Sequence, residues 1–290
     1  IFIPAALSAQ DIAFIRGGSG TGGFLEGGAD EQLSDITDYS TSAGNHGWGE
    51  LADLLTAQGY SLSQHIEGPA SSPGPADLVS IIDGGADVIV FGSNNAAYPP
   101  AAVERFVEFI EGGGGALFIS DANWGSYWSD ASDSDQPFVE PFGLLMNQDA
   151  GTYTLSRANG DFHFPSHPIL EDLDEFDGEG VTPVTVLPGD VPSTVTVNVL
   201  ASAKGSLRLN DSAGTEAGSL RASEESDGVL IAIEAGAGRI VCHFDRNTFF
   251  NQNGAGTNIN RFDNSQLAKN IFDWLAAEES HAASWYHFAD

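Results

Sequence analysis

Residues 238–248, Gly-Arg-Ile-Val-Cys-His-Phe-Asp-Arg-Asn-Thr, hold a short apolar run that breaks off into consecutive polar residues. The run shows no polar–apolar alternation, so both faces of the strand have to be covered. In a single chain that means helices packed on a parallel sheet. The polar residues then fall at the strand's C-terminal end, where open α/β sheets build their sites. Two other runs share this form. Asp87-Val88-Ile89-Val90-Phe91 ends in Gly92-Ser93-Asn94-Asn95, and Ala116-Leu117-Phe118-Ile119 ends in Ser120-Asp121-Ala122-Asn123-Trp124.

Between these runs the period changes from strand to helix. Trp48, Leu51, Leu54 and Leu55 recur at helical spacing after His46, and Ala76 to Ile82 reads as a short helix. Pro99 and Pro100 open a helix carrying Val103, Phe106, Val107 and Ile110, which stops at Gly112 to Gly115. Asp11 to Ile15 and Tyr60 to Ile66 read as two further strands, and Leu267, Ile271, Phe272, Trp274 and Leu275 mark a last helix. This alternation predicts an α/β fold, a doubly wound, mostly parallel sheet of flavodoxin-like type with right-handed crossovers.

Residues 125–225 break the rhythm and read as an inserted lid region with added β-strands, at Val184 to Leu187 and Val195 to Leu200 and as a hairpin within Leu207 to Ser226. Gly228 to Ile233 pairs with the opening run across a tight turn. One domain over residues 11–277 is expected, with 278–290 as a peripheral tail. Residues 1–10 look like the end of a signal peptide, so a secreted or extracellular protein is expected.

The formal net charge of the 290 residues is −31, which repels nucleic acid and anionic membrane. No apolar run approaches the roughly 20 residues needed to span a bilayer, so no membrane insertion is expected. Two readings of the acidity stay open: a halophilic or marine setting in which salt screens the surface, or a secreted protein whose acidic loops hold Ca²⁺. The one cysteine, Cys242, excludes an internal disulfide and reads as a small core residue.

The order of elements resembles the class I glutamine amidotransferase-like superfamily, and within it divergent members such as ThuA-like proteins and the intraflagellar-transport GIFT-type domain. The residues that carry the resemblance are Ala86 to Asn94, the glycines before Ala116 to Asp121, Gly238 to Asp245, and Gln266 to Leu275. The resemblance implies a cysteine nucleophile after the strand Ala116 to Ile119 and a His-x-Glu pair after the late strand. Here Ser120 or Asp121 stands at the first position and His243-Phe244-Asp245 at the second, so thiol-dependent glutamine hydrolysis is not expected.

Several constellations follow from placing these strand ends on one rim. Ser120 as nucleophile, His243 as base and Asp245 as orienting acid would make a triad. On the rim they form with Asp121, either Asp245 or His243 would act as base and Arg246 would hold an anionic or developing oxyanion group. Arg16, Asn94, Asn123, Trp124 and Asn247 are placed to bind substrate. Asp121, His163, His167, His243 and Asp245 offer an N/O shell for a divalent cation, Zn²⁺ or Ca²⁺. The clusters Asp130/Asp133/Asp135 and Asp172/Asp174/Asp177 are acidic enough for Ca²⁺ but lack the EF-hand spacing. Trp124, Tyr127 and Trp128 would form a platform for sugar rings. Gly18 to Gly23 matches a dinucleotide fingerprint without the helix that must follow it, so it reads as a site-lining loop. The expected function is an exported hydrolase acting on a carbohydrate-related or other polar extracellular substrate. The alternative is a catalytically silent domain on the same fold that binds a glycan, another small molecule or a protein.

Overall fold

The computed structural model describes residues 9–17, 34–39, 41, 47–68, 74–94, 96–119, 129–147, 152–179, 183–202, 206–210, 216–222, 224–251 and 257–277. In chain order the elements are β1 (Asp11–Arg16), α1 (Gly49–Ala57), β2 (Ser61–Ile66), α2 (Leu78–Asp83), β3 (Val88–Ser93), α3 (Pro100–Glu111) and β4 (Gly115–Ile119). After them come α4 (Ser129–Val139), β5 (Leu144–Met146), β6 (Thr152–Ser156), β7 (Glu175–Glu179) and β8 (Val184–Val186). The last are β9 (Val195–Ser202), β10 (Ser206–Asn210), β11 (Glu216–Ala222), β12 (Asp227–Ala235), β13 (Gly238–His243) and α5 (Asn264–Ala276).

One nine-stranded sheet runs β2-β1-β3-β4-β13-β12-β8-β5, with β9 also pairing β12. The first five of these strands are mutually parallel. Their order is the 2-1-3-4-5 of flavodoxin-like sheets, with β13 as the fifth strand. Beyond β13 the sheet continues antiparallel through β12, β9, β8 and β5. The predicted doubly wound fold is therefore present, with the added strands as an antiparallel wing.

Alternate residues of β1, β3, β4 and β13 feed two cores, as a period of two requires. On one face Phe14, Val90, Leu117 and Val241 pack under α1 and α5 through Leu51, Leu55, Leu267 and Phe272. On the other Ile15, Phe91, Phe118 and Cys242 pack under α2, α3 and α4 through Ile81, Phe106, Ile110 and Phe138. Phe91 and Phe118, neighbours in register, stack at 4.5 Å with their rings 4° from parallel.

The segment between β4 and β8 is built into these cores. Phe138, Val139, Phe142, Leu144 and Met146 join the second core, and Leu155, Ile169, Leu173 and Phe176 join the first. Gly238 sets how close β13 comes to α3: a Cβ there would lie 1.9 Å from the carbonyl oxygen of Ile110, so only glycine fits.

Candidate functional site

The register puts the C-terminal ends of β1, β2, β3 and β13 on one rim, and each end delivers a buried polar side chain. Arg16 closes β1, Glu67 follows β2, Asn94 follows β3, and His243, Asp245 and Arg246 close β13. From the helix beyond β4, Ser134 and Asp135 reach back to the same rim. All of these side chains are buried.

Two halves of the rim differ in chemistry. His243 shares a strand face with Val241, on the α1/α5 side. Its ring stacks on Phe244 at 4.9 Å and meets Phe249 edge-on at 5.0 Å, with Phe176 at 6.3 Å. The backbone N–H of Asp245 donates to its Nδ1 at 3.4 Å. Nδ1 is thereby an acceptor, and the proton of the neutral ring sits on Nε2, a buried atom with no hydrogen-bond partner among the described residues. Burial lowers the imidazole pKa to about 3. Asp245 does not orient the ring through its carboxylate: Oδ1 accepts the N–H of Asn247 at 3.0 Å. Trp48 ties this half to the start of α1, its indole N–H donating to the carbonyl of Arg246 at 3.2 Å.

The other half is a carboxyl network. Glu67 accepts from the Tyr98 hydroxyl at 2.8 Å and from the Ala96 N–H at 3.2 Å. The Asn94 amide donates to Ser134 Oγ at 3.0 Å and to Asp135 Oδ1 at 2.5 Å. Burial pushes the Asp135 carboxyl well above its ordinary range, and the Glu67 charge adds to that. The Asn94 bond and the Arg246 charge oppose it.

Arg16 forms a 3.0 Å ion pair with Asp35, both side chains nearly enclosed. Burial pulls the Asp35 carboxyl up, but hydrogen bonds from Thr37 and Gln64 and the Arg16 charge prevail and leave it below its ordinary value. Arg16 is thus held at the rim by Asp35.

The structure brings together Arg16, Asn94, His243, Asp245, Arg246 and Asn247 at the rim, as the strand ends require. Ser120, Asp121, Asn123 and Trp124 lie outside the described residues, as do Tyr127, Trp128 and the loop Gly18 to Gly23. His163 and His167 serve elsewhere. His163 bonds Ser202 Oγ at 3.1 Å. His167 accepts the Ile169 N–H at 3.2 Å and packs on Trp274; burial, then the Arg239 charge, lowers its pKa to about 4. Among the described residues no three of His, Cys, Asp and Glu converge where a metal ion would sit. Of the acidic clusters, Asp135 belongs to the rim. Asp177 is fully buried in a latch, pairing Arg261 at 2.9 Å and accepting from Asn264 at 2.9 Å and Thr257 at 3.3 Å. The amide-rich segment after β13 supplies staples of the same kind: Asn251 accepts the Glu50 N–H and donates to the Asp38 carbonyl.

Sequence reasoning missed Glu67, Tyr98 and Ser134, and placed Asp135 only in an acidic cluster. Glu67 had a signal, because it directly follows a strand of the parallel set. Ser134 and Asp135 had none, since they reach the rim from a helix that the sequence does not announce.

Fold and site together define a doubly wound, flavodoxin-like α/β domain whose one cysteine is a buried residue of β13. Burial, with the Asp135 charge adding to it, holds the Cys242 thiol far above its ordinary pKa. Solved structures share this fold. The mmIFT52 N-terminal domain aligns over 92% of this chain and 98% of its own at 12% identity, with a TM-score of 0.56. A cytoplasmic protein from Salmonella typhimurium aligns over 92% and 99% at 16% identity, with a TM-score of 0.50. A ThuA-like protein from Parabacteroides merdae aligns over 93% and 90% at 12% identity, with a TM-score of 0.48. At these identities the likeness is one of fold. The sequence matches no family model and no curated protein. Among the described residues no helix is long and apolar enough to cross a membrane.

Proposed function

We propose that this chain is a ligand-binding domain on the amidotransferase-like fold, taking a neutral, hydroxyl-rich ligand such as a glycan at the C-terminal rim, and not a nucleophilic hydrolase. The observation that carries this reading is the state of His243. A base that activates serine needs a free lone pair on Nε2, with Nδ1–H donating to a carboxylate. In this chain Nδ1 accepts a backbone N–H, Nε2 carries the proton, and the ring is enclosed by phenylalanines. An imidazole with a pKa of about 3 is also a weak base.

The rim instead offers amide, carboxyl and guanidinium groups, which bond hydroxyls. A net charge of −31 disfavours an anionic ligand. In sequence Trp124 and Trp128 fall between β4 and α4, and aromatic side chains there would suit the apolar ring faces of a sugar.

The test is a panel of neutral glycans screened against the full chain, with titration calorimetry on the hits. Binding should fall at least about tenfold in Arg246→Ala and Trp124→Ala, the loss of roughly one good contact. A serine-directed fluorophosphonate should leave Ser120 unlabelled. Labelling at Ser120, or a panel with no binder, would defeat the proposal.

A further inference from the structure

Two carboxyls of the rim are attached to one short piece of chain. The segment after β3 donates the Ala96 N–H and the Tyr98 hydroxyl to Glu67. The same segment accepts the Ser134 hydroxyl on the Ala96 carbonyl at 2.5 Å, and Asn94 bonds both Ser134 and Asp135. Glu67 and Asp135 are each only 3% exposed. Facing Asp135 are Asn94 and Tyr98 from this segment, Glu67 from the end of β2, Arg246 and the Cys242 thiol from β13 and its end, and Ser134 from its own helix.

Two buried carboxylates within each other's field cannot both ionise cheaply, and the rim positions a single arginine against Asp135. Glu67 accepts a donor on each of its carboxyl oxygens, as an ionised carboxylate does. Asp135 receives one amide hydrogen bond, which an un-ionised carboxyl accepts equally well on its carbonyl oxygen.

We propose that Glu67 and Asp135 hold one proton between them at neutral pH, which makes Asp135 a hydrogen-bond-donating carboxyl at the rim and fastens α4 to the strand ends. The inference rests on the rim being the ligand site only for its consequence. A donating carboxyl there favours a ligand that presents a hydroxyl or carbonyl oxygen, and it makes binding weaken as the proton is lost. The proton itself is present without any ligand.

The experiment is carbon NMR of the full, unliganded chain labelled at aspartate and glutamate carboxyls and titrated with base. One aspartate carboxyl carbon should stay in its protonated position at a pH where every ordinary aspartate is ionised. That signal should vanish in Asp135→Asn, which keeps the shape of a protonated carboxyl, and should titrate at lower pH in Glu67→Gln, which removes the like charge. A spectrum with every aspartate ionised under those conditions would overturn the inference. So would a spectrum that Asp135→Asn leaves unchanged, or an Asp135 signal that Glu67→Gln leaves unmoved. Failure of the glycan panel leaves this result untouched, so the two proposals fail separately.

Discussion

The backbone N–H of Asp245 points at Nδ1 of His243, 3.4 Å away, and that single contact decides what the imidazole can do. The two residues lie two apart at the end of β13, where the chain turns out of the sheet into Asn247 to Phe249. The turn aims a main-chain donor, and not the Asp245 carboxylate, at the ring. The His-x-acid spacing survives in sequence while the relay it would serve is absent from the geometry.

The tautomer is open to direct measurement. Nitrogen NMR of the folded chain should show His243 with a proton on Nε2 and none on Nδ1, unchanged from neutral pH down to about 5, because its pKa lies near 3. An Nδ1-protonated ring, or one that titrates near 6.5, would restore a catalytic role for the residue.

Asn94 is the connector between β3 and α4. Its buried amide bonds Ser134 and Asp135, and no other side chain among the described residues joins both. Asn94→Ala removes two hydrogen bonds and leaves polar groups buried without them, a loss of about 2–3 kcal/mol. Urea unfolding of the variant should show that loss with an unchanged slope. A loss under about 0.5 kcal/mol would mean that water replaces the amide.

How much of this was legible beforehand differs by element, for physical reasons. The parallel half was readable because strands such as Val88 to Phe91 are buried on both faces, so their composition alone marks them. The helix α3 was readable from Pro99, Pro100 and the spacing of Phe106 and Ile110. By contrast α4, Ser-Asp-Ala-Ser-Asp-Ser-Asp-Gln-Pro-Phe-Val, is built from residues that favour caps and turns and contains Pro137. Its position comes from tertiary contacts through Asn94 and Phe138, which no local pattern encodes. The rim was located from strand ends, but its carboxyl pairing depends on which helix folds back over it. His243 shows the opposite case: its identity suggested chemistry, and only its surroundings, three phenylalanines and a main-chain donor, reveal a buried neutral ring.

Asp177 gives a sharper case of a polar residue whose role is structural. It sits in β7 with no exposed surface, and its carboxylate gathers Arg261, Asn264 and Thr257 from the stretch leading into α5. Asp177→Ala should cost about 2–4 kcal/mol, because buried donors on Asn264 and Thr257 lose their acceptor. Arg261 is 39% exposed in its side chain and can return to water, so it adds little to that figure. Denaturant unfolding of the single variant checks this, and a cost under about 1 kcal/mol would show that the latch is not a determinant of stability.

His243→Phe links the buried imidazole to acid stability, and the sign follows from the direction of its shift. The folded ring titrates near 3 and the unfolded one near 6.5. Between those values the unfolded chain binds a proton that the folded chain does not. His243 therefore weakens the protein progressively as pH falls below about 6.5, by up to about 1.4 kcal/mol per unit. Phenylalanine fits among Phe176, Phe244 and Phe249. It removes an Nε2–H that has no partner among the described residues, and with it the Nδ1 acceptor of the Asp245 N–H, two effects of opposite sign and each about 1–3 kcal/mol. Whatever their balance at pH 7.5, the variant should gain steadily on the parent toward pH about 4.5. His167 and Asp135 are unaltered in both proteins, so their own titrations largely cancel in the difference. Paired urea titrations across this range read the gain directly. A difference that stays flat with pH would mean that His243 binds its proton in the folded protein as readily as in the unfolded one.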